Sequence, residues 1–299
     1  MAAEPCPEGR VTVALITRDR PAALRRTLDE LAALPERPPV IVVDNGADSV
    51  PPHHPARPRV IRPGRNTGAL GRNLAARHAT TPYVAFCDDD SWWMPGALRH
   101  AADLLDAHPR LGLLAGRTLV GPEAAEDPMN KILAASPLPT EADLPGRPVL
   151  GFLACACVVR REAFLAAGGF HPVLFFGGEE TVLAYDLAAA GWGVVYEPSL
   201  TARHLPERAG REGRDPLMRR NEVLTLWLRR PLPLAARAVA RLAAAAVTGD
   251  ESARRALVGV LARLPAALAR RRRLPDRVER AARLLDTGTG PREEEHRPA

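Results

Sequence analysis

PYVAFCDDDSWWMP (residues 82–95) runs four apolar residues, Val84-Ala85-Phe86-Cys87, into three consecutive aspartates and then two tryptophans. Adjacent carboxylates repel one another and resist desolvation, so a triplet at the end of a buried strand needs either open solvent or a cation. A helix cap or a turn uses one carboxylate oxygen and leaves the other two acids unexplained. Hard divalent cations bind through one or two carboxylates together with substrate phosphate oxygens, which is what Asp88, Asp89 and Asp90 offer.

Working outward, strand-like and helix-like stretches alternate. VTVALIT (11–17) is an apolar, β-rich run, and PAALRRTLDELAAL (21–34) places Pro21 at a helix start with Leu24, Leu28 and Leu31 on one face. PVIVVDNG (39–46) is a second buried strand, RVIRP (59–63) a short third, and GRNTGALGRNLAARHA (64–79) a Gly-rich turn opening a helix. PGALRHAADLLDAHP (95–109) follows the triplet as another helix. Continuous apolar strands separated by single helices predict a mostly parallel, Rossmann-like α/β sheet covered on both faces. Ligands of such sheets bind beyond the carboxyl ends of the strands. Three polar clusters fall there: Thr17 to Arg20, Asp44-Asn45, and Asp88 to Asp90.

Downstream the pattern loosens. LGLLAGRTLVG (111–121) reads as a strand, and the Pro-rich stretch 121–148 as loop with one short helix near 129–135. VLGFLACACVVRREAFLAAGGF (149–170) reads as strand then helix, and FFGGEETVLAYDLAAAGWGVVYEP (175–198) as loop, helix, Gly turn and strand. Beyond Arg229 the text becomes Ala, Leu and Arg with scattered Pro, a helical appendage.

The net charge of +6 does not argue for nucleic acid. Lys131 is the only lysine, and the abundance of Arg, Ala, Pro and Gly reflects coding bias as much as a polyanionic partner. From Arg229 onward there are sixteen Arg against eight Asp or Glu, which leaves the first 228 residues at −2: a nearly neutral body with a basic tail. Cys6, Cys87, Cys155 and Cys157 form neither a disulfide framework nor a CxxC pair, as expected of reduced thiols. MAAEPCPEGR lacks the pattern of a signal peptide, and the longest apolar run, 149–159, is too short to cross a bilayer. The expectation is a cytoplasmic protein, with contact at the inner face of the membrane through the basic tail as the alternative to helices packed back on the body.

The ordered set of motifs resembles family 2 glycosyltransferases, which have the GT-A fold. CDDDSWWMPGAL looks like their DXD motif and following helix, VTVALITRDRPAALRRTLDEL their opening strand and helix, and VIVVDNGA their second strand ending in Asp. NTGALGRNLAARHA is similar to their Asn-x-Gly…Arg-Asn helix, and GGFHPVLFFGGEETVLAYDLAAAGW to their acceptor-side loop and helix. The resemblance spans roughly residues 10–230, with a nucleotide-binding half (10–120) and an acceptor-side half (121–230). Residues 231–299 are then a basic helical extension with disordered last residues.

The resemblance implies roles. Asp44 would meet the base or ribose of a nucleotide, with Thr17 and Arg20 in the same pocket and Asp89 beside them. Asn66, Gly68 and Arg72 would form a helix N-terminal region suited to anionic oxygens. Asp90, Asp88 and His204 (in LTARHLPE) would hold Mg²⁺ or Mn²⁺. The catalytic base would lie in GGEET (177–181), where the family usually has Glu-Asp: Glu180 stands in the base's position, one methylene longer, and Glu179 is the fallback. The alternative for both is that they begin the following helix. Trp92 and Trp93 either stack on sugar or pack the sheet edge. Arg219 and Arg220, in an Arg-Arg-Asn segment, either approach the diphosphate or form a solvated helix face.

The implied activity is inverting transfer of a sugar from a nucleotide-diphosphate donor to an acceptor hydroxyl on a glycan, a lipid-linked molecule or a small molecule. Three rivals stand beside it. A nucleotidyltransferase would share the sheet and the acids, a prenyl-diphosphate enzyme would carry its Asp-rich motifs on helices, and a catalytically silent homologue would act as a binding subunit.

Overall fold

The computed structural model describes residues 9–46, 54–206 and 214–288. In chain order these form β1 (Val11–Thr17), α1 (Pro21–Ala33), β2 (Val40–Asp44), β3 (Arg59–Ile61), α2 (Leu70–His78), β4 (Tyr83–Asp88), β5 (Ser91–Trp93) and α3 (Ala97–Ala107). Then come β6 (Leu111–Val120), β7 (Ala125–Glu126), α4 (Pro128–Ala134), β8 (Arg147–Pro148), β9 (Cys157–Arg160), α5 (Arg161–Ala167), α6 (Glu180–Ala189) and β10 (Gly193–His204). Four helices close the described chain: α7 (Arg214–Arg229), α8 (Leu232–Val247), α9 (Glu251–Ala269) and α10 (Asp276–Gly288).

The strands make one sheet in the order β3-β2-β1-β4-β9-β6-β10-β5, with β7 beside β6 and β8 beside β10. The first four are parallel, and every residue of β1 and β2 is buried, as strands covered on both faces require. Helices α1 and α3 close one face through Leu24, Leu28, Leu31, Leu98 and Leu105. The other face is closed by α2, α5 and α6, where Phe86, Phe164 and Phe170 pack in tilted and edge-to-face contacts with ring centroids 5.2–5.7 Å apart.

Two expectations need correction. The apolar run 149–159 is not one strand: it includes a 3₁₀ turn at Ala154–Ala156, and only its last residues enter β9. Val149 N–H donates to the Val194 carbonyl of β10 (3.0 Å), and beyond it burial without strand pairing explains the pattern, because Leu150 and Phe152 are covered by packing. The sheet is also more mixed than the alternation suggests. β9 runs antiparallel to both of its neighbours, and β5 runs antiparallel along the edge of β10. The α/β class itself is as expected.

The register sets up the site. Thr17 lies opposite Asp44 on β2, and Ile16 opposite Asp88 on β4, so the polar clusters of all three strands emerge at one edge. β10, bulged between Glu197 and Thr201, reaches the same edge and places His204 opposite Ser91.

Candidate active site

Each acid of the triplet meets a cation of the chain itself. Arg72 donates to Asp88. Arg20 donates to Asp89 and, at 3.0 Å, to Asp90 Oδ2. His204 Nε2 lies 3.4 Å from Asp90 Oδ1. The turn is fixed independently of these charges: Asp88 N–H donates to Ser91 Oγ (2.8 Å), Thr27 Oγ1 to the Asp89 carbonyl (2.9 Å), and Leu205 N–H to the Asp90 carbonyl (2.8 Å).

The three acids have different environments. Burial pushes Asp89 up to about 7, even with Arg20 beside it and Thr17 Oγ1 donating to it at 2.8 Å. Burial also acts against the ionised form of Asp90, but hydrogen bonding and charge from His204 and Arg20 outweigh it and hold Asp90 below the usual carboxylate range. The same contact holds His204 above its ordinary value, against the opposing effect of its burial. Asp89 is thus a buried anchor for Thr17 and Arg20. Of the other two, Asp88 is the more exposed and Asp90 is buried.

Along the neighbouring strand end, Asp44 is buried and accepts from Gly46 N–H (3.1 Å). Asn45 stitches the NTG loop to β2: its Oδ1 accepts from Thr67 N–H (2.9 Å) and Thr67 Oγ1 (2.6 Å). Asn66 accepts from Gly68 N–H (2.9 Å), turning the chain into α2. Gly68 has φ +57°, and a Cβ there would overlap the Phe175 carbonyl oxygen. That carbonyl accepts from Ala69 N–H (2.7 Å), so only glycine lets the helix start and the loop at Phe175 approach this closely.

Arg72 links the two halves of the site. Its side chain is 1% exposed, and besides Asp88 it donates from Nη1 to Glu179 Oε1 (3.2 Å) while lying over the Phe170 ring. Burial would lower its pKa, but Asp88 and Glu179 raise it further, so the guanidinium stays charged. Arg72 Nε and Glu179 Oε2 are buried with no hydrogen-bond partner among the described residues, leaving capacity for water or substrate.

Glu179 stands at the N-cap position of α6 with no side-chain capping bond, and Glu180 is its first residue, so both do begin a helix, with Glu179 turned to Arg72. Burial raises both carboxyls. Glu180 reaches about 8, with the charge of Glu179 as the second cause. Glu179 is held by Arg72, whereas Glu180 Oε1 accepts a long contact from Ala154 N–H (3.4 Å).

The profile of the family described as glycosyl transferase family 2 matches residues 12–166, just over half of the chain. The chain belongs to glycosyltransferase family 2. No curated protein sequence matches it. Among solved structures, it is similar to the mannosyltransferase PcManGT from Pyrobaculum calidifontis in complex with GDP-Man and Mn²⁺: TM-score 0.55, 22% identity, 93% of this chain and 79% of that one. It is also similar to TarS 1-349 of S. aureus in complex with UDP-GlcNAc (TM-score 0.55, 14% identity, 85% and 72%). A third likeness is to GalNAc-T7 with UDP, GalNAc and Mn²⁺ (TM-score 0.55, 13% identity); the match covers 92% of this chain but only 54% of that one. These neighbours share the GT-A fold.

Other sequence candidates of this family 2 glycosyltransferase are taken up by packing and pairing within the chain. Trp92 and Trp93 are buried in β5, Trp93 completely, and they pack the sheet edge. Arg219 pairs with Asp215 (3.0 Å) and Asp250. Arg219 is part-exposed, as a solvated helix face requires, whereas Arg220 is buried and donates to the Leu174 carbonyl (2.8 Å). The residue missed in that segment is Asn221. Its fully buried amide donates to the carbonyls of Leu174 (3.0 Å), Phe176 (2.9 Å) and Gly177, holding the loop ahead of Glu179. An Asn among the apolar residues of a helix, following a Gly-Gly loop in the chain, was the available signal.

Proposed function

We propose that the protein is a metal-dependent, inverting glycosyltransferase that moves a sugar from a nucleotide-diphosphate donor to an acceptor hydroxyl. The observation that carries this reading is the Asp88–Arg72–Glu179 bridge, which fastens the acids at the end of β4 to those at the start of α6, the nucleotide side and the acceptor side in this reading. A silent binding subunit has no use for a second pair of acids, Glu179 buried and Glu180 half-buried, with raised pKa values there.

The donor set fits a divalent cation that shares its ligands with substrate. Among the described residues no three His, Cys, Asp or Glu side chains form a ready-made cage. Asp90 and His204 are adjacent, Asp88 opens onto the same edge, and phosphate oxygens would complete the shell, the usual arrangement for Mg²⁺ or Mn²⁺. When bound, such an ion neutralises charge growing on the departing diphosphate. Arg20, which is held by Asp89 as well as Asp90, would then share Asp90 with the ion and place its charge beside an anionic oxygen. Asp44 and Thr17 line the nucleoside end of the cleft.

Glu180 is the base in this reading. It takes the proton from the acceptor hydroxyl as the oxygen attacks the anomeric carbon, and a single displacement inverts the configuration. Glu179, committed to Arg72, positions the helix start. Replacing Glu180 by Gln should lower kcat by about 10²- to 10⁴-fold with the donor KM little changed. Product anomeric configuration, read by NMR, should be inverted. Retained configuration, or an E180Q variant as fast as the wild type, contradicts the assignment.

A further inference from the structure

The outward face of α9 is apolar where a surface helix is ordinarily polar. Its inner face buries Ala253, Ala256, Val260 and Ala267 in the cluster formed with α7 and α8. On the opposite side Val258, Leu261 and Leu268 are 67%, 56% and 46% exposed, and Pro265 between them is exposed as well. Successive spacings of three, four and three residues put these four on a single stripe. Val247, at the end of α8, is also exposed.

Arginines flank this stripe along the chain. From Arg237 to Arg273 the chain carries nine arginines and two acids, Asp250 and Glu251. Both acids are engaged: Asp250 caps α9 and pairs with Arg219, and Glu251 pairs with Arg254 and Arg255. Arg270, Arg272 and Arg273 lie exposed just past the other end of the stripe.

We propose that this face of α9 docks on an anionic lipid surface, the apolar stripe entering the boundary between headgroups and acyl chains and the arginines meeting lipid phosphates. Charge decides against the other occupants. A second copy packed face to face would bring one arginine rim against another, whereas interface cores are depleted of charge. A nucleic-acid backbone would leave the apolar stripe in water. No helix among the described residues is long and apolar enough to cross a membrane, so the contact is one of lying on the surface. The inference does not depend on the donor chemistry proposed above, and its test uses no nucleotide.

The full chain is floated with phosphatidylcholine vesicles and with vesicles of phosphatidylcholine and phosphatidylglycerol. It should rise with the anionic vesicles at low salt, stay behind with phosphatidylcholine alone, and be released by salt. The Val258→Glu, Leu261→Glu double variant should bind about tenfold more weakly or worse. Both residues point away from the core, so its circular dichroism and thermal midpoint should match the wild type; if they do not, L268E alone carries the same test. The proposal is overturned if the wild type stays behind with anionic vesicles or the soluble double variant floats as well as the wild type. It is equally overturned if light scattering shows a dimer that the double variant splits.

Discussion

Arg72 joins Asp88 to Glu179 from a position with almost no access to solvent. Removing a buried cation while its acids stay is costly, because they are left uncompensated. Arg72→Met should destabilise the protein by about 3 kcal/mol, discounted from the fully buried case because Asp88 is partly exposed. The urea midpoint reads this, and Arg72→Lys should recover only part of it, since an ammonium cannot reach both acids as a fork does. Glu180 gives the pH dependence. Its carboxyl is raised to about 8, so at neutral pH it is largely protonated and unable to accept a proton. Activity should climb as pH rises through about 8, and this limb should be absent from the residual activity of Glu180→Gln. A profile that falls over that range would oppose the assignment. Little of this was legible in the sequence. The acid triplet was, because adjacent like charges need an explanation. The pairing of Arg72 with Glu179 was not, because 107 residues separate them and no local pattern reports a tertiary ion pair. The triplet asked for a cation, and the fold answers first with Arg20, Arg72 and His204.

The parallel strands β1, β2 and β4 were legible because burial on both faces writes unbroken apolar runs. The stretch 149–159 shows the limit of that signal: the same composition serves a buried turn, and only pairing with β4 and β6 makes β9 a strand. Helix α7 shows a different limit. Its Arg-Arg-Asn segment was read for charge, whereas its contribution is the amide of Asn221 on three carbonyls of the loop before Glu179. Asn221→Ala leaves those carbonyls short of a donor, at a cost of about 1–3 kcal/mol, and frees the loop that presents Glu180. The expected outcome is a drop in kcat of about tenfold with nucleotide affinity unchanged, measured by steady-state kinetics beside a binding titration. An equal loss in nucleotide affinity would mean that the loop serves the donor side instead.

The C-terminal helices are fastened to the body from two directions. α8 and α9 share a hydrophobic cluster with α7. α10 packs on α6 through Val278 and Ala282, where Arg230 is held by Glu279 (2.8 Å), Asp286 (2.6 Å) and Tyr185. Arg229 fixes Asp186 of the same α6 (2.6 Å). The helix that begins with Glu180 is therefore braced by the tail, which the sequence marked only as helical and basic. Residues 289–299, expected to be disordered, lie outside the described residues. What the chain does with this frame depends on the cleft edge where β1, β2, β4 and β10 end. Calorimetric titration of UDP and of GDP, each with Mn²⁺ and with a chelator, into the wild type and Asp90→Asn tests that directly. At least one nucleotide should bind in the presence of Mn²⁺, about tenfold or more tighter than with chelator, and the substitution should erase the difference. Neither nucleotide binding, or one binding equally well without the metal and without the Asp90 carboxylate, would contradict the site described.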